Sequence, residues 1–448
     1  VGAVGAARID GAVALVGLAV GYALVGASPL GRADRRAAAR AGVAAVGAGA
    51  VLVALGTTDV LRLSPEYVRV HSSQLTGLLT AAALVVLVAV VTLVLPGRAL
   101  AGLRRVVHGR RRGLGTAAAA VVVVVGLGLA TRPLWWEGRF TDPTTGFGYA
   151  VQVLQQAAGQ PLDAARSYDE QTLAWVAWYL GVPVVVLGFA GLALLARRAV
   201  AGRDPAATLL VAVIGVAAVF PLVRVSITPD QIWAVRRLLP ATFPGLLLAA
   251  TVALAALAGS GVRRRWRYGP YRPSRGTSRT GARAVGSVAR PLGAGVLALA
   301  VVAFPVTTWR PGASVVELSG RATQAHAVCD ALADLGVERV VWTHSSPFRY
   351  LATLRVVCDV EVVELLEPPS AADLAAIRAA WGGEPVAALS FDLADYPWSG
   401  GVPDAGVGGV TSTTLGRTLV GAPRTVDSTW SEVWVGLVQQ DGTVTPSP

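Results

Sequence analysis

Long runs of almost uncharged residues recur along the first two thirds of this chain, and they constrain its fold more than any other feature. Each run has about 17–22 residues, close to the roughly 20 that an α-helix needs to cross a bilayer. Hydrophobic residues make up 54% of the chain and charged residues 15%, which excludes a disordered or nucleic-acid-binding composition. The runs predicted to span the membrane are 11–28, 38–56, 75–96, 114–130, 174–196, 206–223, 240–259 and 290–309.

Arginine is concentrated in alternate connections between these runs, where it predicts the orientation of the bundle. The positive-inside rule places such connections in the cytoplasm. They are 31–42, 97–113, the stretch after the fifth run, and 263–283. The formal net charge of +12 is thereby explained by topology and by contact with anionic lipids, and it requires no nucleic acid. The segments expected on the extracytoplasmic side are 57–74, 131–173, 224–239 and the tail 310–448.

The tail 310–448 has a different pattern from the membrane bundle that is predicted over 1–309. Helical stretches such as ATQAHAVCDALADLG alternate with short Val-rich stretches such as ERVVWTH and DVEVVELL. This alternation predicts a small extracytoplasmic α/β domain with parallel strands. The last stretch, RTLVGAPRTVDSTWSEVWVGLVQ, predicts an added β portion. No glycine-rich phosphate loop follows any of the strands, which argues against nucleotide binding by the tail.

The two cysteines of the chain, Cys329 and Cys358, both lie in the tail. An oxidising compartment permits a disulfide between them. The alternative is a pair of buried thiols in a small helical core, because sequence alone does not show whether the two Cα atoms come within about 7 Å.

The start of the chain predicts that further sequence precedes it. Eight spans place both ends outside, so an odd number of upstream spans is required for a chain that begins in the cytoplasm. The opening stretch VGAVGAARIDG has no basic segment followed by an apolar one, as a signal peptide would have. We therefore expect an N-terminally truncated piece of a multi-pass protein of the plasma membrane.

Acids, arginines and aromatic residues gather in the connections that are assigned to the outer face. A guanidinium fork binds phosphate in a bidentate manner, a carboxylate accepts a proton from a hydroxyl, and aromatic rings stack on sugars. The stretch TPDQIWAVRRLLPATFPG, residues 228–245, is the densest example and precedes a helix that is expected to be broken by Pro240 and Pro244. The candidate substrate-binding residues are Arg237, Arg236, Arg224, Asp230, Gln231, Trp233, Tyr168 and Glu170.

Structural roles compete with the functional ones at several of these positions. Glu170 is also predicted to close a capping box with Ser167 at a helix start. Arg236 and Arg237 cannot face the same way on a helix, so one of them is expected to reach the interface or to pair with Asp230, while the other faces the bundle. Trp135 and its neighbour are better explained as part of an interfacial aromatic belt.

Two stretches of the membrane half, SYDEQTLAWVAWYLG and ITPDQIWAVRRLLPATFPG, resemble large bacterial GT-C-fold glycosyltransferases. These enzymes are relatives of protein O-mannosyltransferases and aminoarabinose transferases. In the tail, CDALADLGVERVVWTH and LRVVCDVEVV are similar to the terminal domain of the same group. The resemblance covers most of the chain and implies a GT-C-like bundle of about eight transmembrane helices that is followed by the small outer domain.

The resemblance also implies a reaction. A polyprenyl-phosphate-linked sugar serves as donor at the extracytoplasmic face, and an inverting transfer delivers the sugar to a hydroxyl of a glycan, lipid or protein acceptor. The family's catalytic acid lies in the first outer loop, which is expected upstream of residue 1, so this piece is predicted to be inactive by itself. Asp10, beside Arg8, is a poor substitute.

Two other functions remain open from the sequence: a polytopic transporter or flippase, and a non-catalytic envelope scaffold. The uncharged runs and the concentration of polar residues at one membrane face argue against a transporter. No cofactor is implied beyond the lipid-linked donor, and dependence on a divalent metal is undetermined. The four histidines show no zinc-binding spacing and are His71, His108, His326 and His344.

Overall fold

The chain divides into two compact units. The first comprises Val1–Trp309 together with Arg417–Ala422, and the second comprises Arg310–Gly416 together with Pro423–Pro448. The computed structural model describes residues 11–27, 32–94, 101–202, 204–225, 229, 231–259, 284–313, 315–343, 350–365, 367–416, 418–422 and 425–447.

Helices form nearly all of the first unit. Short 3-10 turns occur at Arg132–Leu134, Asp169–Gln171 and Val235–Arg237. The helices are α1 (Gly11–Ala27), α2 (Arg32–Leu63), α3 (Pro65–Val94), α4 (Ala101–Thr131), α5 (Gly146–Ala157), α6 (Thr172–Leu180), α7 (Val182–Gly202), α8 (Pro205–Val223), α9 (Gln231–Ala234), α10 (Thr242–Leu257) and α11 (Ala284–Thr308).

Within the described part of the chain, five helical segments are long and apolar enough to cross a membrane, and they indicate a membrane protein. These segments are Arg36–Leu63, Leu75–Val94, Gly109–Leu134, Val182–Ala201 and Pro205–Val223. Shorter apolar helices cover Ala12–Ala27, Thr242–Leu257 and Leu292–Thr307. Helical structure therefore occurs in each of the eight predicted runs, but a count of eight spans stays a prediction.

Several helices are longer than the apolar runs suggest. α2 and α4 begin in arginine-rich stretches, because arginine is a good helix former whose long stem carries its charge toward water. The segment 57–74 is helical except at Ser64, since Pro65 occupies the first position of α3, where a missing N–H costs no hydrogen bond. α10 likewise begins after Pro240 and has Pro244 in its first turn, so neither proline breaks a helix as the sequence analysis expected.

Close helix packing gives the first unit its interior. α7 packs between α4 and α10, and α1 packs against α8, α2 and α3. At Gly191 of α7, an added Cβ would lie 1.8 Å from the carbonyl oxygen of Ala249, so only glycine permits this approach to α10. Leu419, from the segment Arg417–Ala422, is fully buried in this unit in a cluster that includes Trp175 and Val225.

The second unit is the α/β domain predicted from the tail sequence. A capping box, in which Ser370 and Asp373 bond reciprocally, starts its third helix. Its helices are α12 (Arg321–Asp334), α13 (Leu351–Val357) and α14 (Ala371–Ala380). Its strands are β1 (Arg339–Thr343), β2 (Glu361–Leu365), β3 (Val386–Ser390), β4 (Val407–Leu415), β5 (Val426–Val438) and β6 (Val444–Pro446).

The described strands form one mixed sheet in the order β2–β1–β3–β5–β4, and β6 also pairs with β5. β1 pairs in parallel with β2 and β3, whereas β5 is antiparallel to β3, β4 and β6. Trp342 and Leu389 on one face pack with residues of α12 and α13, and Val341 on the other face packs with Leu374 of α14. The sheet is therefore covered by helices on both faces.

Cys329 and Cys358 form a disulfide, with their Cα atoms 4.9 Å apart. The bond connects α12 to the residue that follows α13. This settles the alternative that the sequence left open in favour of the bridge.

Candidate functional site: a buried ionic cluster beside an arginine-ended cavity

Arg132 is buried in the first unit at the end of α8. Its Nη1 donates to the carbonyl oxygen of Val223 at 3.0 Å, and its Nη2 donates to the carbonyl of Leu222 at 3.2 Å and to the hydroxyl of Thr172 at 2.9 Å. The last carbonyls of a helix have no partners within it and form the negative end of the helix dipole. Arg132 therefore caps α8 and connects it to the start of α6.

The carboxylate of Asp169 is also buried, with 2% of the residue exposed. It accepts hydrogen bonds from the hydroxyl of Ser167 at 2.7 Å and from the N–H of Val225 at 2.9 Å. Burial raises the pKa of Asp169 above its usual value, although these two hydrogen bonds and the charges of Arg224 and Arg132 act in the opposite direction. Asp169 thus fixes the chain as it leaves α8.

Glu170 lies beside Asp169 but has different partners. Its Oε2 accepts from the N–H of Gly138 at 2.8 Å, and its Oε1 lies 2.5 Å from Nη2 of Arg166. Arg166 also reaches the exposed Glu137 at 3.2 Å. The predicted capping box with Ser167 is wrong, because α6 begins at Thr172 and a 3-10 turn over 169–171 comes before it.

Tyr168, directly before these two acids, has a strained backbone conformation. Its φ is 52°, in the left-handed region that side chains other than glycine rarely adopt. Its hydroxyl accepts a bond from the buried Gln155 at 3.1 Å, and Arg166 lies over its ring at 4.6 Å. An added Cβ at Gly138 would lie 2.6 Å from the hydroxyl of Ser167, so this turn also needs a glycine opposite it.

A cavity of about 260 Å³ lies between α1, α8 and the start of α10. Its walls include residues from Leu210 to Pro221 of α8, a length of about 16 Å along the helix axis. Among the described residues that line the cavity, Arg237 is the only charged one. Arg237, Val225 and Pro240 all come from the connection after α8 ends and before α10 begins. The cavity is therefore apolar along its length and cationic at one end.

Val225 connects the ionic cluster to the cavity. The residue lines the cavity, and its N–H donates to the carboxylate of Asp169. Its neighbour Arg224 is exposed and lies over the ring of Phe140 at 4.3 Å. The buried carboxylate therefore stands directly behind the wall of the cavity.

The two adjacent arginines occupy different environments. Arg237 is half-buried and lines the cavity, whereas Arg236 is exposed with its guanidinium 4.4 Å from the ring of Trp233. The 3-10 turn Val235–Arg237 produces this divergence, because consecutive residues point about 120° apart in such a turn. Trp233 is itself 51% exposed.

The structure thus separates the candidates that were chosen from sequence. Arg237 lines the cavity, Tyr168 and Glu170 lie in the buried cluster, and Arg224 is next to Val225. Asp230 and the side chain of Gln231 lie outside the described residues. Arg132 and Asp169 were not among the candidates chosen from sequence, although two adjacent acids, Asp169 and Glu170, in a long connection between apolar runs were a usable signal.

Among the described residues, no group of three histidine, cysteine or acidic side chains is placed to hold a metal ion. The cluster instead consists of arginines and carboxylates, of which Arg166 and Glu170 form an ion pair. The cavity next to it is suited to a ligand with a long apolar part and an anionic head. No family model, curated protein or solved structure matches this chain.

Proposed function

We propose that this chain is an integral membrane glycosyltransferase of the GT-C type, with about eight spans, that uses a polyprenyl-phosphate-linked sugar. The observation that carries the proposal is the apolar cavity with Arg237 at one end. An isoprenoid chain is apolar and its phosphate is anionic, so the cavity offers matching surroundings for both parts.

The donor lies with its isoprenoid chain along α8 and its phosphate at Arg237. The guanidinium binds the phosphate oxygens and stabilises the charge that collects there as the sugar leaves. In the transfer, a hydroxyl oxygen of the acceptor attacks the anomeric carbon and the bond from that carbon to the phosphate oxygen breaks. A carboxylate takes the hydroxyl proton, and polyprenyl phosphate leaves.

Asp169 and Glu170 serve this site by positioning it. Asp169 binds the N–H of Val225 and faces Arg224, and Glu170 holds Arg166. Because both acids are engaged in contacts within the protein, we assign them no proton transfer. The arginine-rich connections orient the bundle in the plasma membrane with the cavity's cationic end and the second unit extracytoplasmic.

The proposal is tested by incubating membranes that contain the full-length protein with synthetic polyprenyl phosphates carrying radiolabelled sugars. A transferase breaks the bond between sugar and phosphate and moves the label into a glycan, lipid or protein. A flippase moves the intact donor across the bilayer, and a scaffold leaves the donor unchanged. Either of the last two results would contradict the proposal.

A further inference from the structure

The β4–β5 strand pair of the second unit carries an exposed tryptophan. Trp430 is 61% exposed, although it lies within strand β5. A large indole that a strand holds in water is a feature of surfaces that bind a partner. No strand occurs among the described residues of the first unit, so this feature belongs to the second unit alone.

One edge of the Trp430 ring packs against strand β4. β4 has a register irregularity between Val407 and Val410, and Gly409 lies within it. An added Cβ at Gly409 would lie 2.6 Å from Cζ2 of the indole and 2.7 Å from Cη2. The ring is therefore seated against the glycine, and any larger side chain at Gly409 would displace it. A ring held in this way loses little conformational freedom when a ligand stacks on it.

Hydroxyl groups surround the indole on the same face of the pair. Thr411 lies directly opposite Trp430 on β4, and such partners share a face. Ser428 and Glu432, two residues to either side of Trp430 along β5, also share it because side chains alternate between faces. Thr411 and Ser428 are exposed, while Glu432 accepts a bond from the N–H of Gly406 at 3.2 Å.

The charges on these two strands favour one class of ligand. β4 contains no charged residue, and β5 contains only the acids Asp427 and Glu432. Strands without a positively charged residue disfavour phosphate, nucleic acid and anionic headgroups. An aromatic face with hydroxyl and carboxylate neighbours suits a neutral sugar, whose C–H groups stack on the ring while its hydroxyls form hydrogen bonds.

We propose that the Trp430 face, comprising Trp430, Thr411, Ser428 and Glu432, binds a neutral polysaccharide. This inference does not depend on the transfer reaction proposed above, since binding by the second unit is measured without any donor.

The test uses the full chain in phosphatidylcholine nanodiscs and measures binding to immobilised mannan, arabinogalactan and dextran. At least one of these polysaccharides should bind the wild-type protein. Trp430→Ala should weaken that binding tenfold or more, and Trp430→Phe should keep most of it because the ring is retained. Thr429→Ala is the matched control: Thr429 is exposed on the same strand but faces the other way, so binding should change less than twofold.

Two results would overturn the proposal. The first is that none of the three polysaccharides binds, or that Trp430→Ala binds as the wild type does. The second is that brominated phosphatidylcholine in the nanodisc quenches the part of the fluorescence that Trp430→Phe removes, which would place the indole among lipid headgroups.

Discussion

The two units bury polar side chains in different ways. In the second unit, the buried polar residues that the structure describes are neutral. The hydroxyl of Tyr396, for example, accepts from Thr343 at 2.9 Å and donates to the carbonyl oxygen of Leu389 at 2.8 Å. In the first unit, Arg132, Asp169 and Glu170 are charged groups that are each almost fully buried.

This difference shows where the molecule tolerates the cost of buried charge. Neutral groups at the ends of strands are satisfied by one or two hydrogen bonds, whereas a buried ion needs a counter-ion and several donors or acceptors. The first unit places such ions at the end of α8, next to the arginine-ended cavity. Buried charge is therefore retained where an anionic ligand is proposed to bind, whereas the described part of the second unit buries only neutral polar residues.

The largest effect is expected from breaking the ionic cluster. Glu170→Gln should lower the free energy of unfolding by about 3–5 kcal/mol, because the charge at the buried end of the pair is removed and the half-buried Arg166 loses its close partner. Glu137→Gln removes the other, exposed partner of the same arginine and should cost about 0–1 kcal/mol. Denaturant unfolding of the full chain in detergent measures both, and equal costs would mean that burial does not strengthen the pair.

The disulfide should give the next largest effect, confined to the second unit. Closing a loop between residues 29 apart stabilises a chain by about 3–4 kcal/mol on the loop-entropy account. A Cys329→Ser, Cys358→Ser double variant should therefore unfold its second unit more readily. Proteolysis of the tail, followed by mass spectrometry with and without reductant, measures this change. A tail that resists protease equally in both states would contradict the expectation.

A neutral polar contact should cost less. Tyr396→Phe leaves the carbonyl oxygen of Leu389 and the hydroxyl of Thr343 without the buried tyrosine hydroxyl, a loss of about 1–3 kcal/mol. The contrast between the two units is supported if the loss of unfolding free energy in Tyr396→Phe is smaller than that in Glu170→Gln. If Tyr396→Phe lowers the free energy of unfolding more than Glu170→Gln does, the buried neutral groups stabilise the protein more than the ionic cluster does. The contrast between the units is then wrong.

The smallest effects are expected in the pH dependence of stability. Burial raises the pKa of Asp169, so the folded protein holds this proton more tightly and the contribution to stability falls as pH rises from about 4. The hydroxyl and N–H of Ser370 lower the pKa of Asp373, so its contribution is present above about pH 4 and is lost as pH falls.

Asparagine substitutions separate these two slopes. Asp169→Asn should remove a decrease in stability with rising pH, and Asp373→Asn should remove an increase. Measuring the free energy of unfolding of each variant between about pH 3 and 7 tests the signs of these two slopes. Slopes that change in the same direction in both variants would contradict the assignment.

Much of the second unit follows from its sequence because its elements are locally amphipathic. The stretch that contains Cys329 has helical spacing, and ERVVWTH is a short Val-rich run between turns, so each element was predicted near its observed bounds. The long apolar runs similarly predict the helices of the first unit, since composition alone suffices to place a helix in lipid.

The candidate site depended on contacts that no local pattern reveals. Arg132 binds carbonyl oxygens 90 and 91 residues away, and Asp169 binds the N–H of a residue 56 positions later. The sequence identified Arg236 and Arg237 together, but only the 3-10 turn and the packing of α1 against α8 determine which one lines the cavity.

The central claim is that Arg237 binds the phosphate of a polyprenyl donor, and the most direct measurement compares it with Arg236. Binding of radiolabelled polyprenyl phosphate to the full-length protein in nanodiscs is measured for the wild type, Arg237→Ala, Arg237→Lys and Arg236→Ala. Losing a charge-assisted phosphate contact should weaken binding roughly ten- to a hundredfold in Arg237→Ala. Lysine should restore part of the affinity because it lacks the guanidinium fork.

Arg236→Ala removes the same charge from the adjacent residue outside the cavity, and it should bind within about twofold of the wild type if the contact with Arg237 is specific. Polyprenol without phosphate should bind all four proteins alike. If both alanine variants keep wild-type affinity, or if both lose it equally, the cavity does not select the phosphate through Arg237 and the account is wrong.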